Sequence, residues 1–185
     1  HMLFLHANDG NVIHSATKPV HTFADVKGMK LRTPSRTGAW VIEAMGAEPV
    51  SMPIPDLPEA LSKGTIDGAL TTLEIVPTVK LQEMDKSVTE LPNGRRFGTA
   101  VFMFAMNKER YEELPADLKK VIDDNSGTKV AAEIGKMWED FEQVGVDALA
   151  SKKVETIVLA PEEAALFDKA NETVVTRCIE DAKKK

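Results

Sequence analysis

Cysteine, aromatic residues and long apolar runs are all scarce in this chain of 185 residues. Cys178 is the single cysteine, so no disulfide can form within the chain. Its apolar helical neighbours Val174, Val175 and Ile179 predict a buried structural thiol rather than a nucleophile. No segment approaches the roughly 20 consecutive apolar residues that a membrane-spanning helix requires.

The chain also lacks a net positive charge and recognisable catalytic motifs. The net charge of −6 argues against a nucleic-acid partner, which would need a basic surface. The sequence has no nucleophile elbow, no Gly-rich phosphate loop of the Walker type and no zinc motif. With 43% hydrophobic and 28% charged residues, the composition is that of an ordinary globular chain. These observations favour a binding protein over an enzyme.

Three histidines, His6, His14 and His21, do not have the spacing of a compact metal site. We therefore expect neither a metal nor another cofactor. For His14 two interpretations are open: a hydrogen bond to a ligand, or a polar strand residue that faces solvent.

Strands and helices alternate between residues 26 and 70. Apolar periodicity predicts strands over 29–33, 49–52 and 66–70, with helices over 37–45 and 56–63 between them. This βαβαβ order predicts a parallel sheet, in which ligands bind beyond the carboxyl ends of the strands.

The loop after the first of these strands predicts an anion site. A helix start offers free backbone N–H groups, and an arginine fork can grip a carboxylate. The candidate residues in this loop are Arg32, Thr33, Ser35, Arg36 and Thr37. A surface salt bridge is the alternative role for such an arginine. Trp40 is placed in the core, with stacking on a ligand as its alternative.

The remaining elements are predicted from turns and periodicity. Segments 3–6 and 12–15 should form a hairpin around Asp9 and Gly10, and the apolar run 97–107 a central strand buried on both faces. A helix from Thr128 should carry an apolar stripe, a last strand should cover 154–159, and a terminal helix should begin at Pro161. The stripe comprises Val130, Ile134, Met137, Trp138, Phe141, Val144 and Leu149.

Five segments closely resemble the solute-binding proteins of TRAP (tripartite ATP-independent periplasmic) transporters, the dicarboxylate-binding family. They are 26–34 (VKGMKLRTP), 44–53 (AMGAEPVSMP), 59–69 (EALSKGTIDGA), 104–108 (FAMNK) and, after Tyr111, 114–122 (LPADLKKVI). The similarity runs in order from about Val12 to the C-terminus.

The resemblance implies a fold and a domain arrangement. The fold class would be α/β, periplasmic binding protein-like of the class II type, truncated, with long C-terminal helices. Residues 1–106 would form mostly the second ligand-binding domain, with 97–107 as a hinge strand. Residues 107–185 would complete the first domain and span both. The chain would be a C-terminal fragment that lacks much of the first domain and the signal peptide, and His1 and Met2 a remnant of tag removal.

The resemblance also implies a function. The protein would be a periplasmic receptor that binds a small organic acid and delivers it to membrane permease subunits. Thr71, Thr72 and Glu74 would lie where family members differ in ligand choice, although Glu74 is equally suited to begin a helix. Exposure of the apolar stripe would make the fragment self-associate, with helix exchange as one route. An α/β enzyme or a ligand-sensing domain that reuses the fold is the alternative.

Overall fold

Two separate β-sheets organise the computed structural model, which describes residues 1–184. The strands are β1 Met2–Ala7, β2 Val12–Ser15, β3 Lys30–Thr33, β4 Glu48–Ser51, β5 Gly68–Thr71, β6 Ser87–Glu90, β7 Val101–Ala105 and β8 Glu155–Val158. One sheet has six strands in the order β4-β3-β5-β2-β6-β8, and the other pairs β1 with β7 in antiparallel orientation.

Seven α-helices cover these sheets. They are α1 Arg36–Ala44, α2 Leu57–Ser62, α3 Val76–Val79, α4 Lys108–Glu112, α5 Ala116–Asp124, α6 Thr128–Ser151 and α7 Pro161–Lys183. Within residues 1–184, no helix combines the length and the apolarity that crossing a membrane requires.

The predicted βαβαβ unit is confirmed. Strand β3 pairs in parallel with both β4 and β5, and α1 and α2 connect them. Helix α1 begins one residue earlier than predicted because Ser35 caps it: its hydroxyl oxygen accepts a hydrogen bond from the Gly38 N–H at 3.0 Å. Leu31 and Ile42 are fully buried where α1 packs on the sheet.

The predicted hairpin between β1 and β2 is wrong. β1 pairs with β7, whereas β2 lies between β5 and β6 in the other sheet and is buried along its whole length. In the centre of the sheet, β2 forms backbone hydrogen bonds along both of its edges and buries both of its faces. This stabilises the chain more than a hairpin turn at Asp9 and Gly10 would.

The prediction of a central strand over 97–107 is also wrong. β7 covers only Val101–Ala105, has β1 as its neighbour among the described residues, and is exposed at all five positions. Its apolar composition indicated a strand correctly, but composition does not fix how many strands lie beside it. Met103 and Phe104 remain 66% and 58% exposed.

Helix α6 contacts both sheets. It packs against β1 through Trp138 and against the six-stranded sheet through Leu149, which is buried. Part of its predicted apolar stripe is exposed, as expected: Met137, Phe141 and Val144 are each about half accessible. Near its C-terminal end, α6 lies against the backbone of Leu73.

The C-terminal elements belong to the six-stranded sheet. β8 pairs in parallel with β6, and α7 packs along α1. The sulfur-bearing residue of α7, Cys178, is only half-buried, and its neighbours Val175 and Ile179 are more than half exposed. The prediction of a fully buried thiol is therefore wrong, because only one face of α7 reaches the core.

His14 fits neither of its predicted roles. It is fully buried in β2, and its Nδ1 lies 2.7 Å from Oδ2 of the buried Asp85. The central position of β2 removes the ring from solvent and from any ligand, and the carboxylate of Asp85 satisfies one of its two nitrogens.

Candidate functional site

A cavity of about 770 Å³ opens at the carboxyl ends of β3 and β5. Its lining comes from these strand ends, the start of α1, the segments on either side of Gly10 and Gly98, and one side chain of α6. Ligands in parallel sheets bind at this edge, so the position agrees with the sequence-based expectation. Arg32 and Glu74 are the ionisable side chains among its lining residues.

Arg32 is the cationic group of the cavity. It is only 3% exposed, and its Nε donates a hydrogen bond to the Met52 carbonyl at 3.0 Å. Within residues 1–184, its guanidinium has no carboxylate partner at ion-pair distance, in contrast to Arg36 and Arg96. Burial lowers the pKa of Arg32, but an arginine keeps its charge at neutral pH. A buried, unpaired cation is costly unless an anion joins it.

Hydroxyl groups beside Arg32 belong to the start of α1. Thr33, Ser35 and Thr37, three of the residues predicted to bind an anion, all line the cavity. The Ser35 hydroxyl is engaged in capping α1 and lies 3.4 Å from the Thr37 hydroxyl. Gly38 allows this close arrangement, because a Cβ there would lie 2.2 Å from Thr33 Oγ1.

The end of β5, the neighbour of β3 in the sheet, contributes further residues to the cavity. Thr71 and Thr72 are buried and line it together with Glu74. The Thr72 hydroxyl donates a hydrogen bond to Glu74 Oε1. Burial raises the pKa of the Glu74 carboxyl above its ordinary value, and the nearby carboxylates of Asp9 and Glu142 raise it further.

Arg36 and Trp40 lie outside the cavity. The Arg36 guanidinium pairs with Asp181 of α7 at 2.5 Å. The guanidinium groups of Arg36 and of Arg177, which belongs to α7, lie 5.0 and 4.3 Å from the centroid of the Trp40 ring. Both residues thus attach α1 to α7. Trp40 is buried, as its placement in the core predicted, rather than available for stacking on a ligand. The predicted ligand contact of Arg36 is corrected by this geometry, because a helix directs successive residues to different faces.

Three aromatic residues in the lining were not predicted as site residues. Trp138 of α6 donates its indole N–H to His6 Nδ1 at 3.1 Å and stacks on Phe102, with ring centroids 6.3 Å apart. Phe97 adds a third ring. The sequence marks these residues only by apolar periodicity, and this pattern does not distinguish a residue in the core from one in a cavity wall.

Two chain segments run side by side between the sheets and close one end of the cavity. The Asn8 N–H donates to the Ala100 carbonyl at 3.3 Å, and the Asn11 N–H donates to the Gly98 carbonyl at 2.7 Å. The Phe97 N–H donates a hydrogen bond to the Asn11 carbonyl at 2.9 Å. Gly10 and Gly98 have φ angles of 103° and 111°, which favour glycine.

The three histidines do not form a metal site. His6 contacts Trp138, His14 contacts Asp85, and His21 lies near Glu155. In the part of the chain that the structure describes, no group of three or more His, Cys, Asp or Glu side chains is arranged to hold a metal ion.

Comparison with protein families gives a match over nearly the whole chain. The model of the family described as bacterial extracellular solute-binding protein, family 7, matches residues 1–181. A curated solute-binding protein of Albidiferax ferrireducens is 30% identical over 166 residues, which cover 88% of this chain and 42% of that protein.

Two solved structures have the same fold. One is a TRAP solute-binding protein of Rhodoferax ferrireducens T118 in complex with copurified benzoate, which is 37% identical with a TM-score of 0.93. The other, from a marine metagenome, is described as specific for aromatic acid ligands and contains 3-hydroxybenzoate; it is 35% identical, also with a TM-score of 0.93. The match covers 100% and 99% of this chain but 57% of each of those chains. The fold is therefore periplasmic binding protein-like, as predicted.

Proposed function

We propose that this chain, which belongs to bacterial extracellular solute-binding protein family 7, binds a small organic acid through Arg32 and is part of a receptor that delivers this acid to a TRAP-type permease. The buried guanidinium of Arg32, which faces the cavity without a carboxylate partner from residues 1–184, is the observation that carries the proposal. Extracytoplasmic location and a permease partner follow from the family and are part of the same proposal.

The carboxylate of the ligand would complete the coordination of Arg32. The Met52 carbonyl holds Nε, so the orientation of the guanidinium plane is fixed and its terminal N–H groups can pair with two carboxylate oxygens. Thr33 and Thr37 stand beside this position and add hydroxyl donors. Preorganisation of these groups lowers the entropic cost of binding.

The remainder of the ligand would be aromatic. Phe97, Phe102 and Trp138 contribute rings to the cavity wall, and Val41 and Leu70 contribute aliphatic surface. Rings pack favourably against such walls in offset or edge-to-face contacts. The benzoate and 3-hydroxybenzoate in the two relatives that are 37% and 35% identical support the same ligand class.

The test is binding of benzoate to the wild-type chain, with benzamide as the neutral control of equal shape. A ligand that binds only the folded state stabilises it by about 2.7 kcal/mol at a concentration of 100 Kd, which corresponds to roughly 5–10 °C in Tm for a chain of this size. We expect such an increase with benzoate and none with benzamide. An equal shift in Tm with benzoate and benzamide would contradict the proposal. So would the absence of any shift with benzoate, 3-hydroxybenzoate and mandelate.

We also propose two domains around the cavity, with residues 1–106 mostly in the second ligand-binding domain. Residues 107–185 would complete the first domain and span both; the pairing of β8 with β6 and the packing of α7 along α1 support this span. Closure of such domains around a ligand is a hinge motion.

Self-association is the further expected property of this chain. Apolar side chains of β7 and α6, among them Met103, Phe104 and Phe141, are more than half exposed, and such surface favours a partner. We expect the weight-average mass in sedimentation to rise with concentration, by contact of these faces or by helix exchange. Phe141→Glu should reduce the rise, whereas Val175→Glu, an equally exposed site on α7, should not. A concentration-independent monomer would contradict this expectation.

A further inference from the structure

One carboxylate oxygen of Glu74 has no hydrogen-bond partner among the described residues. The Thr72 hydroxyl holds Oε1, whereas Oε2 is shielded from solvent and makes no hydrogen bond within residues 1–184. Buried polar atoms nearly always have a partner, so such an atom in a cavity wall requires an explanation.

A structural role does not account for this oxygen. Glu74 forms no ion pair with the described residues, and the short helix α3 has Ile75 as its N-cap without a side-chain hydrogen bond. Arg96, a half-buried arginine outside the cavity lining, is engaged by Glu90 and Glu142. The prediction that Glu74 only begins a helix is therefore not supported by these contacts.

Two further carboxylates lie near Glu74 outside the cavity lining, and one of them, Glu142, is paired with Arg96. Besides Glu74, the carboxyl of Asp9 is partly buried with an unpartnered oxygen, and Glu142 lies close enough to raise the pKa of both. Arg32 and Glu74 thus give the cavity one cationic and one acidic group. A ligand that matches both has a carboxylate and, elsewhere on its ring, a hydrogen-bond donor.

We propose that Glu74 is the specificity-determining residue of the cavity and that its free oxygen accepts a hydrogen bond from a ring hydroxyl, so that the substrate class is hydroxylated aromatic carboxylates. This inference rests on the proposed function and deepens it. An unsubstituted benzoate would bury Oε2 without a partner, and a site built to hydrogen-bond a hydroxyl discriminates against the analogue that lacks it.

Isothermal titration of the wild-type chain with benzoate, 3-hydroxybenzoate and 4-hydroxybenzoate tests the inference. We expect at least one hydroxybenzoate to bind about tenfold more tightly than benzoate. In Glu74→Gln, the Thr72 hydroxyl keeps its acceptor while an amide N–H replaces the free oxygen. A ring hydroxyl can also accept from that N–H, so this variant should reduce the preference for the hydroxybenzoates without abolishing it.

Two further variants make the result decisive. Glu74→Leu offers no hydrogen-bonding group to a ring hydroxyl and should lose the preference completely, and a cooperative thermal unfolding transition reports that the variant is folded. Glu59→Gln, which alters an exposed carboxylate paired with Lys63, should keep the preference. Equal wild-type affinity for all three acids, or a preference that survives in both Glu74 variants, would overturn the inference and leave the proposed function intact. Failure of all three acids to bind the wild type would overturn both.

Discussion

Arg32→Ala is expected to weaken binding of benzoate by roughly thirtyfold or more. Truncation of one partner of a buried charge pair costs about 2–5 kcal/mol, because the carboxylate of the ligand would enter the cavity without a counter-charge. The same change should not lower the Tm of the ligand-free chain, since it removes a buried cation that the described residues do not pair with a carboxylate. Isothermal titration and thermal unfolding measure the two effects separately.

Arg36→Ala is the matched control for this prediction. Arg36 lies four residues away in sequence, but it pairs with Asp181 on the far side of α1, so its removal should leave the affinity for benzoate unchanged. Arg32→Lys should recover only part of the affinity, because an ammonium lacks the planar fork that pairs with two oxygens. Equal losses in Arg32→Ala and Arg36→Ala would remove Arg32 from its proposed role.

Gly145→Ala is expected to destabilise the chain by roughly 2–3 kcal/mol, which corresponds to a decrease in Tm of about 4–12 °C. A Cβ at this position would lie 1.9 Å from the Leu73 carbonyl oxygen and 2.6 Å from its carbon. Both are backbone atoms, so α6 would have to move away from the end of β5. Thermal unfolding in the absence of ligand measures the effect.

Gly135→Ala, on the same helix, separates this steric effect from helix propensity. No atom lies within 4 Å of a Cβ at Gly135, so the substitution should stabilise the helix by up to about 1 kcal/mol. Opposite signs for the two substitutions are the expected result. Similar changes in Tm would show that the contact with Leu73 does not constrain α6.

Local signals were sufficient to predict the unit that holds most of the site. Alternation of apolar periods located β3, α1, β4, α2 and β5, and the Ser35 cap determines where α1 begins. Because a parallel sheet places its loops at one edge, the position of Arg32 in the cavity followed from sequence order alone.

Features that depend on distant parts of the chain could not be predicted in this way. The turn at Asp9 and Gly10 suits a hairpin, and only the pairing of β2 with β5 and β6 rules it out. Trp40 and Trp138 both lie on apolar helix faces, yet only Trp138 reaches the cavity. The difference depends on which neighbour each helix packs against, which no local pattern encodes.

The paired segments 8–11 and 97–100 have a mechanical consequence. Because backbone hydrogen bonds join them, a change of torsion at Gly10 strains the neighbouring segment unless Gly98 turns with it. We therefore expect the torsions of Gly10 and Gly98 to change together. Residues of both segments line the cavity, so a paired change of this kind would alter its volume.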